Sequence, residues 1–423
     1  MKALFRGYKG LAVAGLSVGV LASQGLADQQ HYNNVITGER AQGMGGAYVG
    51  VSDDASGVVY NPGGLAFAQS NDISGSANAF YNKKMKYKSA LPGGGDWTEE
   101  SGGTFAPFFG ALNKLDNVLP GLVGGFAYYS IDTELKDQNN TISNVGDIAR
   151  YHRAANQRAA TWAMTGALGY RISSSLGIGF SLGYLKVDEL TQISQNYYNT
   201  AGTYHLMTSV RDSLIAHGIQ TGIGVQWAPL TKLSFGLSVH SGSYASQKYS
   251  QILDQIIVEG NSMASTPSEA SSKKPLGSMP MEIRGGLAWF ASPRLLVTTD
   301  IDYHEAVSDM DATTSPLYTK KSVTNYALGS EYYLTPSLPL RLGYFTNKDA
   351  TPKIRSSGMN QSDHVDYQGY SMFLAWAQPN SQISAGAVVQ KGTGKAQKIY
   401  KNPTMQDISS LAYTLGFSAT HSF

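Results

Sequence analysis

The run LAYTLGFSATHSF, residues 411–423, decides the fold. Leu411, Tyr413, Leu415, Phe417, Ala419, His421 and Phe423 fall on one face of an extended chain. Ala412, Thr414, Gly416, Ser418, Thr420 and Ser422 fall on the other. Period-two alternation is the mark of a β-strand. One face is mostly large and apolar, the other small and polar. A globular sheet would also alternate, but its apolar face would need a second layer to cover it.

The same alternation recurs upstream. Trp162, Met164, Leu168 and Tyr170 alternate with small residues, as do Leu176 to Tyr184, Ile219 to Trp227 and Met281 to Trp289. Aromatics gather near the segment ends, where a membrane interface would lie. The connections alternate as well. Short Pro/Ser/Asn turns occur at 113–121, 171–175, 228–232, 291–294, 335–339 and 378–382. Long polar stretches occupy 83–103, 131–157, 186–212, 241–280, 305–322, 346–366 and 391–409. Short turns on one side and long loops on the other describe an up-and-down barrel. The reading is therefore all-β: a transmembrane antiparallel barrel of about fourteen strands, with its C-terminus in the last strand.

Composition agrees. Charged residues are 15% of the chain, against about 25% in ordinary soluble domains. Gly (47) and Tyr (26) are abundant, and no run past residue 27 is long and apolar enough for a membrane helix. Lys2, Arg6 and Lys9 precede an apolar stretch at 10–22, and Gly25-Leu26-Ala27 supplies small residues for cleavage. Residues 1–27 thus read as a signal peptide, and the barrel as a Gram-negative outer-membrane protein among lipid and lipopolysaccharide. There is no cysteine, which removes lipid anchoring, disulfides, thiolate metal sites and cysteine nucleophiles. A net charge of +2 gives no reason to invoke nucleic acid. No cofactor and no metal are expected, and the chain is read as a monomer.

Residues 28–70 precede the first strand of a barrel assigned to 71–423. They contain GMGGAYVGVSDDASGVVYNPGGLAF, residues 43–67. Gly43 and Gly45 start a dinucleotide fingerprint, but Tyr48 takes the third glycine's place and no apolar strand precedes it. Asp53-Asp54 lacks the alternating acidic pattern of a calcium loop. Small residues at Gly43, Gly45, Gly46 and Gly63 suit close backbone approach. A fourteen-stranded lumen is open unless filled, so this segment is expected to enter it.

The run GERAQGMGGAYVGVSDDASGVVYNPGGLA resembles the N-terminal hatch of the FadL/TodX family of outer-membrane transporters for hydrophobic compounds. That hatch carries an acidic pair followed by Asn-Pro-Ala. Asp53-Asp54 and Asn61-Pro62 match, and Gly63 replaces the alanine. Residues 279–303 and 325–347 are similar to the family's barrel. The resemblance implies passive uptake of long-chain fatty acids or hydrocarbons, a hatch that shifts on ligand binding, and lateral release through a gap at a kink in the third strand. Gly124-Gly125 in GLVGGFAYYS is the expected kink. Related PorV-type barrels share the hatch motif, so the alternative is a surface receptor, adhesin or secretion-machinery partner.

Alternation places Glu282, Arg284, Asp300, Asp302, His304, Glu331 and Arg341 on the lumen side of four neighbouring strands. Buried charges need partners, so these are expected to latch the segment through Asp53, Asp54 and Asn61. No G-x-S-x-G or H-E-x-x-H motif occurs, and an enzyme is not expected. Ile252, Leu253, Ile256 and Ile257 have helical spacing and predict a loop helix within 241–280. Phe423 resembles the terminal aromatic read by barrel-assembly machinery.

Overall fold

The computed structural model describes residues 30–90, 94–103, 106–273, 275–308, 319–356, 361, 363–397 and 405–423. The expected signal peptide lies outside them. Fourteen strands form the wall. They are β1 (Asp72–Tyr87), β2 (in two segments, Trp97–Gly103 and Ala106–Lys114), β3 (Leu122–Val145), β4 (Ile148–Arg171), β5 (Leu176–Asn199), β6 (Tyr204–Leu230) and β7 (Leu233–Glu259). Then follow β8 (Glu282–Ser292), β9 (Leu295–His304), β10 (Val323–Thr335), β11 (Leu338–Asn347), β12 (His364–Gln378), β13 (Ser381–Ala396) and β14 (Gln406–Ser422). Each pairs antiparallel with its sequence neighbour, and β1 pairs with β14 from Asp72↔Ser422 to Tyr87↔Ile408. The pairing of β1 with β14 closes the barrel, which is what a bilayer demands of a sheet.

Large apolar side chains on the outer face are exposed, including Leu168, Ile223, Ile301, Met372 and Phe417. The inward rows are small or polar: Ala163, Ser181, Ser238, Thr298 and Ser371 are buried. Tyr128, Trp162, Tyr184 and His217 form an aromatic row across β3 to β6, with successive ring centroids 5.7, 5.7 and 6.0 Å apart. That row lies where the apolar belt ends and marks the outer membrane interface. Tyr170, near the other end of β4, is eight residues from Trp162. At about 3.3 Å per residue this is ~26 Å along the strand, or about 20 Å of height for a strand tilted by ~40°, comparable with an apolar belt roughly 25 Å tall.

Three long polar stretches are not loops. Residues 131–157, 186–212 and most of 241–280 continue β3 to β7 beyond the aromatic row as paired hairpins. On this side only 146–147 and 200–203 remain as connections within β3 to β6. Above the interface the outer face meets water, so Asn156 and Arg158 replace Met164 and Leu168 there, and apolar alternation no longer signals the strand. The predicted helix is also a strand. Leu253 and Ile257 pack inward beside Val210 and Leu206, while Ile252 faces out. Pairs spaced by four residues also share a face at period two.

Candidate functional site

The N-terminal segment lies against the inward face of the wall. It carries two short helices, α1 (Glu39–Gly43) and α2 (Gly57–Tyr60), and a 3-10 turn at Pro62–Phe67. Contacts run from α1 to β1 and β11–β14, and from the 3-10 turn to β3–β7. Wall glycines permit this approach. A β-carbon at Gly179 would collide with the Pro62 carbonyl carbon, one at Gly236 with the Val49 carbonyl oxygen, and one at Gly343 with the Gly45 nitrogen. Gly45 and Gly46 adopt φ of +65° and +83°, conformations that side chains rarely take.

The polar contacts are specific. Arg341, 1% exposed, donates from Nε to Glu331 Oε2 (2.6 Å) and from Nη1 to Glu39 Oε1 (2.8 Å). Glu39 also accepts from Gln382 and from Thr420 Oγ1 (3.0 Å). Arg40 pairs with Glu331 (3.3 Å) and with Asp53 (2.7 Å). Asp300 Oδ2 accepts the backbone N–H groups of Tyr48 (2.6 Å) and Val49 (2.8 Å). Asn61 donates to Val49 O and Val225 O, both 3.0 Å, and accepts from Gly63 N. Ser371 Oγ donates to Gly43 O at 2.9 Å, and Ser238 Oγ to Tyr60 O at 2.7 Å. Glu282 and Arg284 pair at 2.7 Å, and Arg284 lies over the Tyr60 ring. Burial holds the phenols of Tyr32, Tyr48 and Tyr60 protonated, above the ordinary tyrosine range.

The expected site residues therefore come together, with changed partners. Asp53 meets Arg40 of its own segment, and Asp54 accepts from Ser56 N (2.9 Å); neither reaches the wall in these contacts. The wall's charges meet Glu39 and Arg40 instead, two residues of GERAQ with no role assigned from the sequence. Their signal was available: they form the one adjacent acid–base pair in residues 28–70.

The third-strand expectation is displaced. Gly124 and Gly125 pair regularly with Asn113 and Leu112 on one side and with Leu168 and Ala167 on the other. Gly125 is small because Val58 and Leu65 pack against it. The irregularity lies at Ile131, where the register with β4 shifts between Ser130 and Asp132. Among the described residues, 130–134 have no partner on β2, whose outer segment meets β3 at the single ladder pair Gly102↔Leu135.

Above the N-terminal segment is a cavity of ≈ 230 Å³. Val58, Val59, Ile131, Leu185, Val187 and Met279 give it apolar wall; Tyr32, His240, Glu282, Arg284, Asp302 and His304 give it polar wall. A second, smaller cavity lies beside this part of β3, lined by Asn78, Gly103, Ala106 and Thr133. The two share Val35 and Asp132.

No protein-family model and no curated protein matches the sequence. Solved structures do match. The toluene transporter TodX of Pseudomonas putida is 14% identical with a TM-score of 0.65, over 92% of this chain and 98% of that one. A FadL homologue of Pseudomonas aeruginosa is 12% identical with a TM-score of 0.63, over 94% and 100%. The monoaromatic hydrocarbon channel CymD is 13% identical with a TM-score of 0.61, over 93% and 99%. With its closed fourteen-stranded wall and lipid-facing belt, the chain has the fold of the FadL/TodX outer-membrane channels.

Proposed function

We propose that the protein is a passive uptake channel for hydrophobic small molecules, with residues 28–70 as its hatch and an exit through the wall between β2 and β3. The observation that carries this reading is the pair of adjoining cavities. One is partly apolar and internal; the other adjoins residues 130–134 of β3, which have no ladder partner on β2 among the described residues and start at the level of Trp162, the outer interface. Apolar cargo gains about 25 cal/mol per Å² by staying out of water. An exit into the periplasm forfeits that gain, while an exit into the bilayer keeps it. Unmade ladder bonds in a membrane wall are costly unless they border a polar cavity, and Asp132 and Thr133 line one here. TodX and CymD, described as carrying toluene and monoaromatic hydrocarbons, lend the same direction to the substrate class.

Deleting Ile131 tests the route. Removing the bulged residue makes the β3–β4 register continuous and straightens β3 toward β2. Uptake of a radiolabelled alkylbenzene by cells expressing this variant is expected to fall at least about tenfold, with normal outer-membrane levels. Uptake at the unmodified rate defeats the lateral exit.

A further inference from the structure

The internal cavity carries more polar chemistry than a purely hydrocarbon cargo needs. Among the described residues, both ring nitrogens of His240, the Tyr32 hydroxyl and Asp302 Oδ1 are buried without a hydrogen-bond partner, and all three residues line the same cavity. His240 is 5% exposed and Asp302 9%. His240 Nδ1 is 3.6 Å from Glu282, but Nε2 has no such neighbour among the described residues. Buried polar atoms without partners cost free energy that a ligand bringing the missing partner recovers.

The charges of the cavity say which ligand. Its ionisable carboxyls are Asp132, Glu282 and Asp302, against the cations Arg284 and Lys320. Arg284 is already committed to Glu282 at 2.7 Å and to the Tyr60 face, and Lys320 lies over the Tyr32 ring, 5.8 Å from its centre. No cation is in excess. A carboxylate entering here would be desolvated beside other carboxylates without a counter-ion. A neutral hydroxyl carries no such penalty. It can donate to Asp302 Oδ1 and accept from Tyr32 or His240, while its apolar body rests on Val58, Val59 and Leu185.

We infer that this cavity selects neutral, hydroxyl-bearing hydrophobic molecules, such as alkylphenols, over fatty-acid-like carboxylates. The inference rests on the uptake reading and names its substrate class. The test uses the full-length protein in lipid nanodiscs, titrated calorimetrically with para-butylphenol, butylbenzene and para-butylbenzoate above the ordinary imidazole range. Empty nanodiscs supply the correction for partitioning. The phenol is expected to bind about tenfold more tightly than butylbenzene, the increment of one well-made hydrogen bond, with the benzoate weakest. Tyr32→Phe, which lies outside the barrel strands and spares assembly, and His240→Phe should each bring the phenol-to-butylbenzene ratio toward one. His240→Gln, which keeps a donor and an acceptor, should preserve the ratio. Equal affinity for phenol and butylbenzene, or tighter binding of the benzoate, overturns this inference and leaves the uptake reading standing. Absence of binding by all three overturns both.

Discussion

Arg341 is the residue on which the inner charge network turns. It joins Glu331 on the neighbouring strand to Glu39 of the N-terminal segment, and it is almost fully buried. Removing one member of a buried ion pair leaves the others uncompensated, at a cost of roughly 3–5 kcal/mol. Arg341→Met keeps the volume and deletes the charge. It is expected to lower the thermal stability of the detergent-purified protein and to raise its ion conductance in planar bilayers, because Glu39 loses its strongest hold on the wall. Conductance and melting equal to those of the parent protein would show that the segment does not depend on this pair. Lumen-side charge was legible at Glu331 and Arg341 from alternation alone. Their partner was not, because it lies some three hundred positions away and only chain closure brings it near.

At the scale of the element, β14 and β3 teach opposite lessons. β14 is readable in full because lipid on one side and a packed lumen on the other impose different chemistry on alternate residues. It ends at Phe423, whose backbone N–H donates to Asn71 O and whose side chain is exposed beside His421. Deleting Phe423 removes the last outward aromatic and is expected to lower outer-membrane levels several-fold, measured by heat-modifiable mobility of membrane fractions. Unchanged levels would remove the terminal aromatic as an assembly signal. β3 was readable only as far as Ser130. Beyond it, polar residues on both faces resemble a loop, yet the hairpins continue and are pinned inside by Glu99, which accepts from Lys136 (2.7 Å) and Arg153 (3.3 Å). The bulge at Ile131 had no sequence mark at all. An isoleucine in a strand is ordinary, and the register shift arises from the mismatch between β3 and the two strands beside it.

At the scale of the whole molecule, the N-terminal segment is rich in glycine and alanine and lies close against glycines of the wall. A protein lacking residues 30–65 should still close its barrel, since every ladder bond of β1 to β14 lies elsewhere. It should conduct ions in planar bilayers at least an order of magnitude better than the intact chain. Equal conductance would mean that this segment does not close the lumen.

Alternation, turn chemistry and the scarcity of charge were enough to specify a closed antiparallel barrel of about fourteen strands, because a bilayer allows few other solutions to a chain without apolar helices. They also put Glu282, Arg284, Asp300, Asp302, Glu331 and Arg341 on the lumen side. Closure of the chain settled everything that depends on distance across the lumen. It paired Arg341 with Glu39, turned Asp53 toward Arg40, put the third strand's irregularity at Ile131 rather than Gly124-Gly125, and gathered Tyr32, His240 and Asp302 around one cavity. Local pattern reports which face a residue takes, since face depends only on its neighbours in sequence. Partnership across a barrel depends on shear, register and the path of the enclosed segment, and these are set by all fourteen strands at once.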